Sequence, residues 1–211
     1  IYKRERAINL SVIAYVISKI LVLCLFAVFQ VASVLIILRA VVKFPNDGLL
    51  FGSAWIEFFI TLYLGVLASI TLGLFISAIV PSTDVVLYAI LAQLFVQIIL
   101  SGTLFPLDTP MSKITVGYWT TNALGSTTDL KLLDQVGRTC KVEEVPDMQT
   151  GQLKLEKICA AAPSPAEEQK YIKENFVHDE EHLVSQWLGL VAHIIIWTSL
   201  TIIVQARKKI E

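Results

Sequence analysis

The stretch "ILVLCLFAVFQVASVLIIL", residues 20–38, carries no charged side chain over its 19 residues. Coiled as a helix, that length covers the hydrocarbon core of a bilayer, which takes roughly 20 residues. In hydrocarbon each backbone N–H and C=O must be bonded within its own segment, so such a run reads as a membrane helix. Three further uncharged runs follow, at residues 58–80, 85–107 and 183–206, of 23, 23 and 24 residues. Four runs in 211 residues leave little room for another architecture. The expected fold class is all-α, a polytopic transmembrane helical domain with four spans.

Composition agrees with that reading. The chain is 55% hydrophobic and 17% charged, with a mean hydropathy of +0.67, against the roughly 25% charge usual in soluble domains. Its net charge of −1 is unevenly spread: residues 126–182 hold 12 acidic and 7 basic side chains, and the remainder is net basic. No basic stripe interleaves with aromatics, so nucleic acid is not an expected partner. Membrane lipids are. The chain opens at Ile1 on "IYKRERAINLS", which reads as the interior of a longer protein, and a fragment is expected.

Flanking charges set the expected orientation. Lys3, Arg4 and Arg6 precede the first span, and Arg207, Lys208 and Lys209 follow the last. Cytoplasmic flanks are enriched in such residues, so both ends are placed in the cytoplasm, with Arg39 and Lys43 outvoted on the outer side. The resulting division is a cytoplasmic elbow at 1–9, three spans plus a re-entrant segment at 10–125, an extracytoplasmic loop at 126–182, a last span at 183–206 and a cytoplasmic tail at 207–211. Cys24 falls in the membrane. Cys140 and Cys159 fall in the outer loop, where an oxidising compartment permits a disulfide; two unpaired thiols are the alternative.

Within the spans the polar residues carry the information. Lys19 has a stem long enough for its ammonium to reach the headgroups. On the second span Thr61, Gly65, Ser69, Gly73 and Ser77 recur every fourth residue, a pattern that lets helix backbones approach; packing is the expected role. Glu57 sits in that helix's first turn, where the macrodipole favours an acid, so it need not be a buried charge. On the third span Gln93, Gln97 and Ser101 repeat the same spacing. An unpaired amide in hydrocarbon is costly, so this face meets either another helix or a hydrated cavity. His193, near the middle of the last span, is expected to face the protein interior.

Thr109-Pro110 reads as an N-cap with proline at the first helical position. The following "MSKITVGYWTTNALGSTTDL" is too short and polar to cross and is expected to dip into the membrane and return. Ser164-Pro165-Ala166-Glu167 matches a capping box and predicts a helix to about Phe176. The run His178-Asp179-Glu180-Glu181-His182 resembles the H-E-x-x-H zinc motif, but Asp stands where the general base Glu belongs. No third ligand presents itself, so no metal site is assigned. Neither a phosphate-binding glycine loop nor a nucleophile elbow is present, and no catalytic residue is assigned.

The order of these features resembles one family. "RERAINLSVIAYVISKILVL" resembles the entry to the third membrane helix of G-subfamily ABC transporters, the white and pleiotropic-drug-resistance type, with Arg4, Glu5, Tyr15 and Lys19 matching. "LGLFISAIVPSTDVV" is similar to that family's small-residue helix end and short turn. "FVQIILSGTLF" resembles its fifth-helix exit and "YWTTNALGS" its re-entrant segment. Prokaryotic relatives look closest.

The resemblance implies that this chain holds the third to sixth helices of a permease that exports a lipophilic or amphipathic substrate from the plasma (inner) membrane. It implies pairing with a second half-transporter, as a homodimer, and coupling of an ATP-binding cassette through Lys3, Arg4, Glu5 and Arg6. No cofactor is implied for this chain, ATP and Mg²⁺ belonging to the missing cassette. Gln93, Gln97 and Ser101 would line the substrate cavity, beneath an outer plug at Thr103 and Leu104. Thr103 departs from the family's leucine there, and Tyr118 stands where an arginine is usual. The competing reading is a membrane anchor or scaffold whose outer loop binds a partner without transport.

Overall fold

The computed structural model describes residues 11–41, 48–80, 82–101, 110–128, 140–146, 153–159 and 175–207, with backbone alone for the two strands and residues 83–84. Lys3, Arg4, Glu5 and Arg6, the plug residues Thr103 and Leu104, Thr109 and most of the helix expected up to Phe176 lie outside the described residues. Five α-helices are described: α1 Val12–Val41, α2 Ala54–Ile79, α3 Thr83–Leu100, α4 Val116–Thr127 and α5 Glu180–Arg207. Of these, α1, α2 and α5 are long and apolar enough to cross a membrane, and α3 is a shorter apolar helix. The helical membrane fold expected from the four apolar runs is therefore present.

Two boundaries differ from the sequence expectation. The third apolar run was read to residue 107, but α3 ends at Leu100 with Ser101 as its C-cap. In the sequence Leu100 is followed by Ser101-Gly102 and then by Pro106, residue types that favour ending a helix. Between α4 and α5, strands β1 (Cys140–Pro146) and β2 (Leu153–Cys159) form an antiparallel hairpin. Its register sets Cys140 opposite Cys159 and Glu143 opposite Glu156.

α2 and α5 form the most extensive helix pair; α4 wedges against both, and α1 lies along α2. Ala68 and Leu72 of α2, Val116 of α4 and Leu190 of α5 make the buried centre, ringed by Leu64, Phe75, Trp119 and Trp197. Helix association between lipid tails depends on close packing and interhelical hydrogen bonds rather than on apolar burial. Three glycines supply the first of these. A Cβ on Gly65 would come within 2.7 Å of Thr120 Oγ1, one on Gly125 would strike Phe176, and one on Gly189 would strike Trp119. Trp187 supplies the second, its indole N–H donating to Thr61 Oγ1 over 2.8 Å between α5 and α2.

The small-residue stripe on α2 packs only in part. Thr61 and Gly65 are buried, whereas Ser69 and Ser77 are exposed and Gly73 has open space where a Cβ would stand. A step of four residues overshoots a 3.6-residue turn by about 40°. The stripe thus winds away from the packed face, whose lower half is made by Ala68, Thr71 and Leu72.

Elsewhere the apolar surface is bare. Phe29 on α1 is 72% exposed, and Tyr88 and Phe95 on α3 are 70% and 65% exposed. Apolar faces of that extent belong against lipid or another protein surface.

Candidate functional site

The polar groups converge on α4. This helix has 12 residues, about 18 Å of length, and cannot cross a bilayer. The sequence expectation placed its start at Thr109-Pro110. The chain instead makes a 3₁₀ turn at Ser112–Ile114 before the helix begins after Thr115. The Thr115 hydroxyl donates to Ser112 O at 2.6 Å, so the N-cap side chain leaves the helix's first N–H groups unmet. Those groups need an acceptor from elsewhere.

Gln97 of α3 provides it. Its Oε1 accepts the Gly117 N–H at 2.8 Å. The approach depends on glycine, since a Cβ at position 117 would lie 3.1 Å from Ser101 Cβ and 3.2 Å from Gln97 O. Ser101 is buried at this contact and donates to Ile98 O at 2.9 Å. Of the three residues expected to line a cavity, Gln97 and Ser101 are thus engaged between helices. Gln93, one turn earlier, is half-buried, and its amide makes no hydrogen bond among the described residues. The shared spacing does not give the three a shared role.

A second tie holds the turn before α4. His193 of α5 is placed between two backbone carbonyls, Nδ1 2.9 Å from Gly189 O and Nε2 3.0 Å from Ile114 O. The Trp119 indole N–H donates to Lys113 O at 2.7 Å, and its ring lies 6.2 Å from the His193 ring. The histidine faces the protein, as its place in the span implied.

At the other end of α4, both histidines of the acidic run converge on one serine. His178 Nδ1 is 2.6 Å from Ser126 O, and His182 Nδ1 is 2.9 Å from Ser126 Oγ. Ser126 Oγ itself donates to Asn122 O at 2.8 Å, so it can only accept from His182. Nδ1 of His182 therefore carries the proton, and Nε2 accepts from Gln186 Nε2 at 3.2 Å. Since α5 begins at Glu180, His178 precedes the helix and does not share a helical face with His182. That geometry uses the imidazoles as ties between α4 and α5 rather than as a ligand pair.

Glu57 is the buried acid of the molecule's described part. It is fully buried, not at an open interface as its place in the first turn had implied. Oε1 accepts from the backbone N–H of Leu50 at 2.6 Å and of Phe51 at 3.2 Å, pinning the turn that precedes α2. Gly52 in that turn has φ +63°, a conformation that costs glycine little and other residues more. The Ser126 ties leave no trace in local patterning, because they join residues 52 and 56 positions apart, whereas the Glu57 clamp closes a local turn of six or seven residues.

Taken together, α4 is a short helix tied at its start to α3 and α5 and at its end to α5. A family model described as ABC-2 type transporter matches residues 1–120. The chain belongs to the ABC-2 type transporter membrane family. The matched part covers α1, α2, α3 and the start of α4, while the hairpin and α5 lie beyond it. The chain of this ABC-2 permease family is also similar to the ABC transporter ATP-binding/permease protein Rv1747 of Mycobacterium tuberculosis (strain ATCC 25618 / H37Rv). Identity is 31% over 136 residues, covering 62% of this chain and 16% of that protein. The matching part is thus a small fraction of the relative's length. No solved structure matches the chain.

Proposed function

We propose that this chain is the permease part of an ATP-driven exporter of G-subfamily type, moving a lipophilic or amphipathic substrate across the plasma membrane with both ends of the chain in the cytoplasm. An ATP-binding cassette acts on residues 1–9, and a second half-transporter completes the pathway. The observation that carries this reading is α3. Its apolar side chains are exposed on all sides, and Gln93 offers an amide in that surface with no acceptor or donor among the described residues. An amide left unpaired in hydrocarbon is unfavourable by several kcal/mol at the upper end of transfer scales, roughly 2–7. A second copy or a hydrated substrate path meets that need; lipid tails do not.

In this reading Gln93 contacts substrate and Gln97 positions α4, so movement of α3 is passed to the short helix through one hydrogen bond. The test uses the full-length protein in proteoliposomes, with a rhodamine dye as amphipathic probe. Gln93→Ala should change dye-stimulated ATP hydrolysis at least threefold and leave unstimulated hydrolysis in place. Gln97→Ala should change the stimulated rate and also weaken the fold by about 1 kcal/mol, read as a lower melting midpoint. Wild-type-like stimulation in both variants would overturn the cavity assignment. A full-length protein without ATP-dependent dye movement would favour the anchor reading.

A further inference from the structure

The seam between α1 and α2 ends in a group that the described residues leave unmatched. Arg39 lies in the last turn of α1, and its guanidinium carbon sits 5.5 Å from the centroid of the Trp55 ring in the first turn of α2. Among the described residues this guanidinium makes no ion pair and no hydrogen bond. A cation–π contact at this distance uses none of the guanidinium N–H groups as hydrogen-bond donors, and a guanidinium fork matches a phosphate with two parallel bonds.

The surface beneath Arg39 is a groove of about 280 Å³, walled by Leu35 and Ile36 of α1 and by Trp55, Ile56 and Phe59 of α2, with Arg39 as its charged member. A second cavity of about 300 Å³ shares Leu35 and Trp55 with it and continues past Leu38, Phe58 and Leu62. By contrast, the groove between α1 and α5 is lined by aliphatic, threonine and serine side chains and holds no charge. Tryptophan and arginine side by side at the end of a membrane hairpin sit at headgroup level, where the apolar ring and the cation each find their own medium. The hydrocarbon walls then run inward from that level.

We infer that this groove is a binding site for an anionic phospholipid, with the phosphate on the Arg39 fork and an acyl chain laid between α1 and α2. The charge decides the class of ligand. A hydrocarbon groove alone accepts any lipid tail, whereas the Arg39 guanidinium at its mouth, which has no acidic partner among the described residues, selects a headgroup with net negative charge. The bound lipid would fill a seam that the two helices do not close with their own side chains, so it joins α1 to α2 as a structural component. This inference concerns the α1–α2 seam and does not rest on the transport reading of α3.

Native mass spectrometry of the full-length protein tests it, using phosphatidylglycerol and phosphatidylcholine of matched chains added to delipidated protein. Wild type should retain phosphatidylglycerol about fivefold more tightly than phosphatidylcholine, the scale of one interfacial cation. Arg39→Gln should abolish that preference. Ile36→Trp, which fills the groove and keeps the cation, should reduce retention of both lipids. Lys19→Gln, which removes a cation stacked on Tyr15 toward the other end of α1, should leave the preference intact. An undiminished preference in Arg39→Gln, unchanged retention in Ile36→Trp, or an equal loss in Lys19→Gln would each overturn the site. Arg39→Gln protein that is less heat-stable yet keeps the lipid preference would overturn it too, by reducing Arg39 to a helix-end charge.

Discussion

A methyl group at Gly189 would collide with the Trp119 ring, and one at Gly73 would meet nothing within 4 Å. Replacing each by alanine therefore separates packing glycines from incidental ones. Gly189→Ala should destabilise the domain by about 1–3 kcal/mol, the usual cost of overpacking, and Gly73→Ala should be neutral or slightly stabilising as glycine leaves a helix. Thermal midpoints of the two variants in detergent check this, and equal midpoints would refute it. The sequence could mark small residues at four-residue intervals but not which of them face a neighbour. Gly65 and Gly73 carry the same spacing, yet only Gly65 lies against Thr120. Gln93 and Gln97 illustrate the same limit. Their spacing identified a polar face, while the partner of Gln97, a backbone N–H 20 residues away, depends on how the helices cross. Such tertiary partners leave no mark in local patterning.

At the scale of elements, the long apolar runs were legible because length and lack of charge are decisive in a bilayer. The hairpin was not read, although Leu153 and Leu155 alternate with Lys154 and Glu156, a period-2 signal. Its short strands lie in a segment whose charge and polarity dominate the reading. A two-stranded hairpin by itself is marginal in water. The register sets Cys140 opposite Cys159, and directly opposed residues of antiparallel strands have Cα atoms roughly 4.5–5.5 Å apart, within the range a disulfide spans. We therefore expect a bridge closing this hairpin, contributing about 3 kcal/mol to the segment between α4 and α5. Mass analysis of protein digested without reductant should recover a peptide linking Cys140 to Cys159. Two separately alkylated thiols, in protein prepared from membranes without reductant, would contradict the pairing.

Among the described residues taken together, polar chemistry is concentrated at α4 and at the helix ends, and large apolar faces remain on α1 and α3. The sequence distinguished a membrane protein from a soluble one but not which apolar face meets lipid and which meets protein, since both media select the same residues. Under the proposed function, the Gln93 amide, without a partner among the described residues, sets α3 against protein or a hydrated path. If α3 faces its counterpart in a second copy across the transport path, residue 93 of one copy lies near residue 93 of the other. Oxidative cross-linking in native membranes measures that directly, using full-length protein with Gln93→Cys in a Cys24→Ser background. The expected result is a dimer-sized, reductant-sensitive band that exceeds that of the Cys24→Ser parent and is absent when the cysteine is instead placed at Phe29, exposed on α1. A parent-level signal at position 93 together with a strong dimer band from position 29 would contradict it.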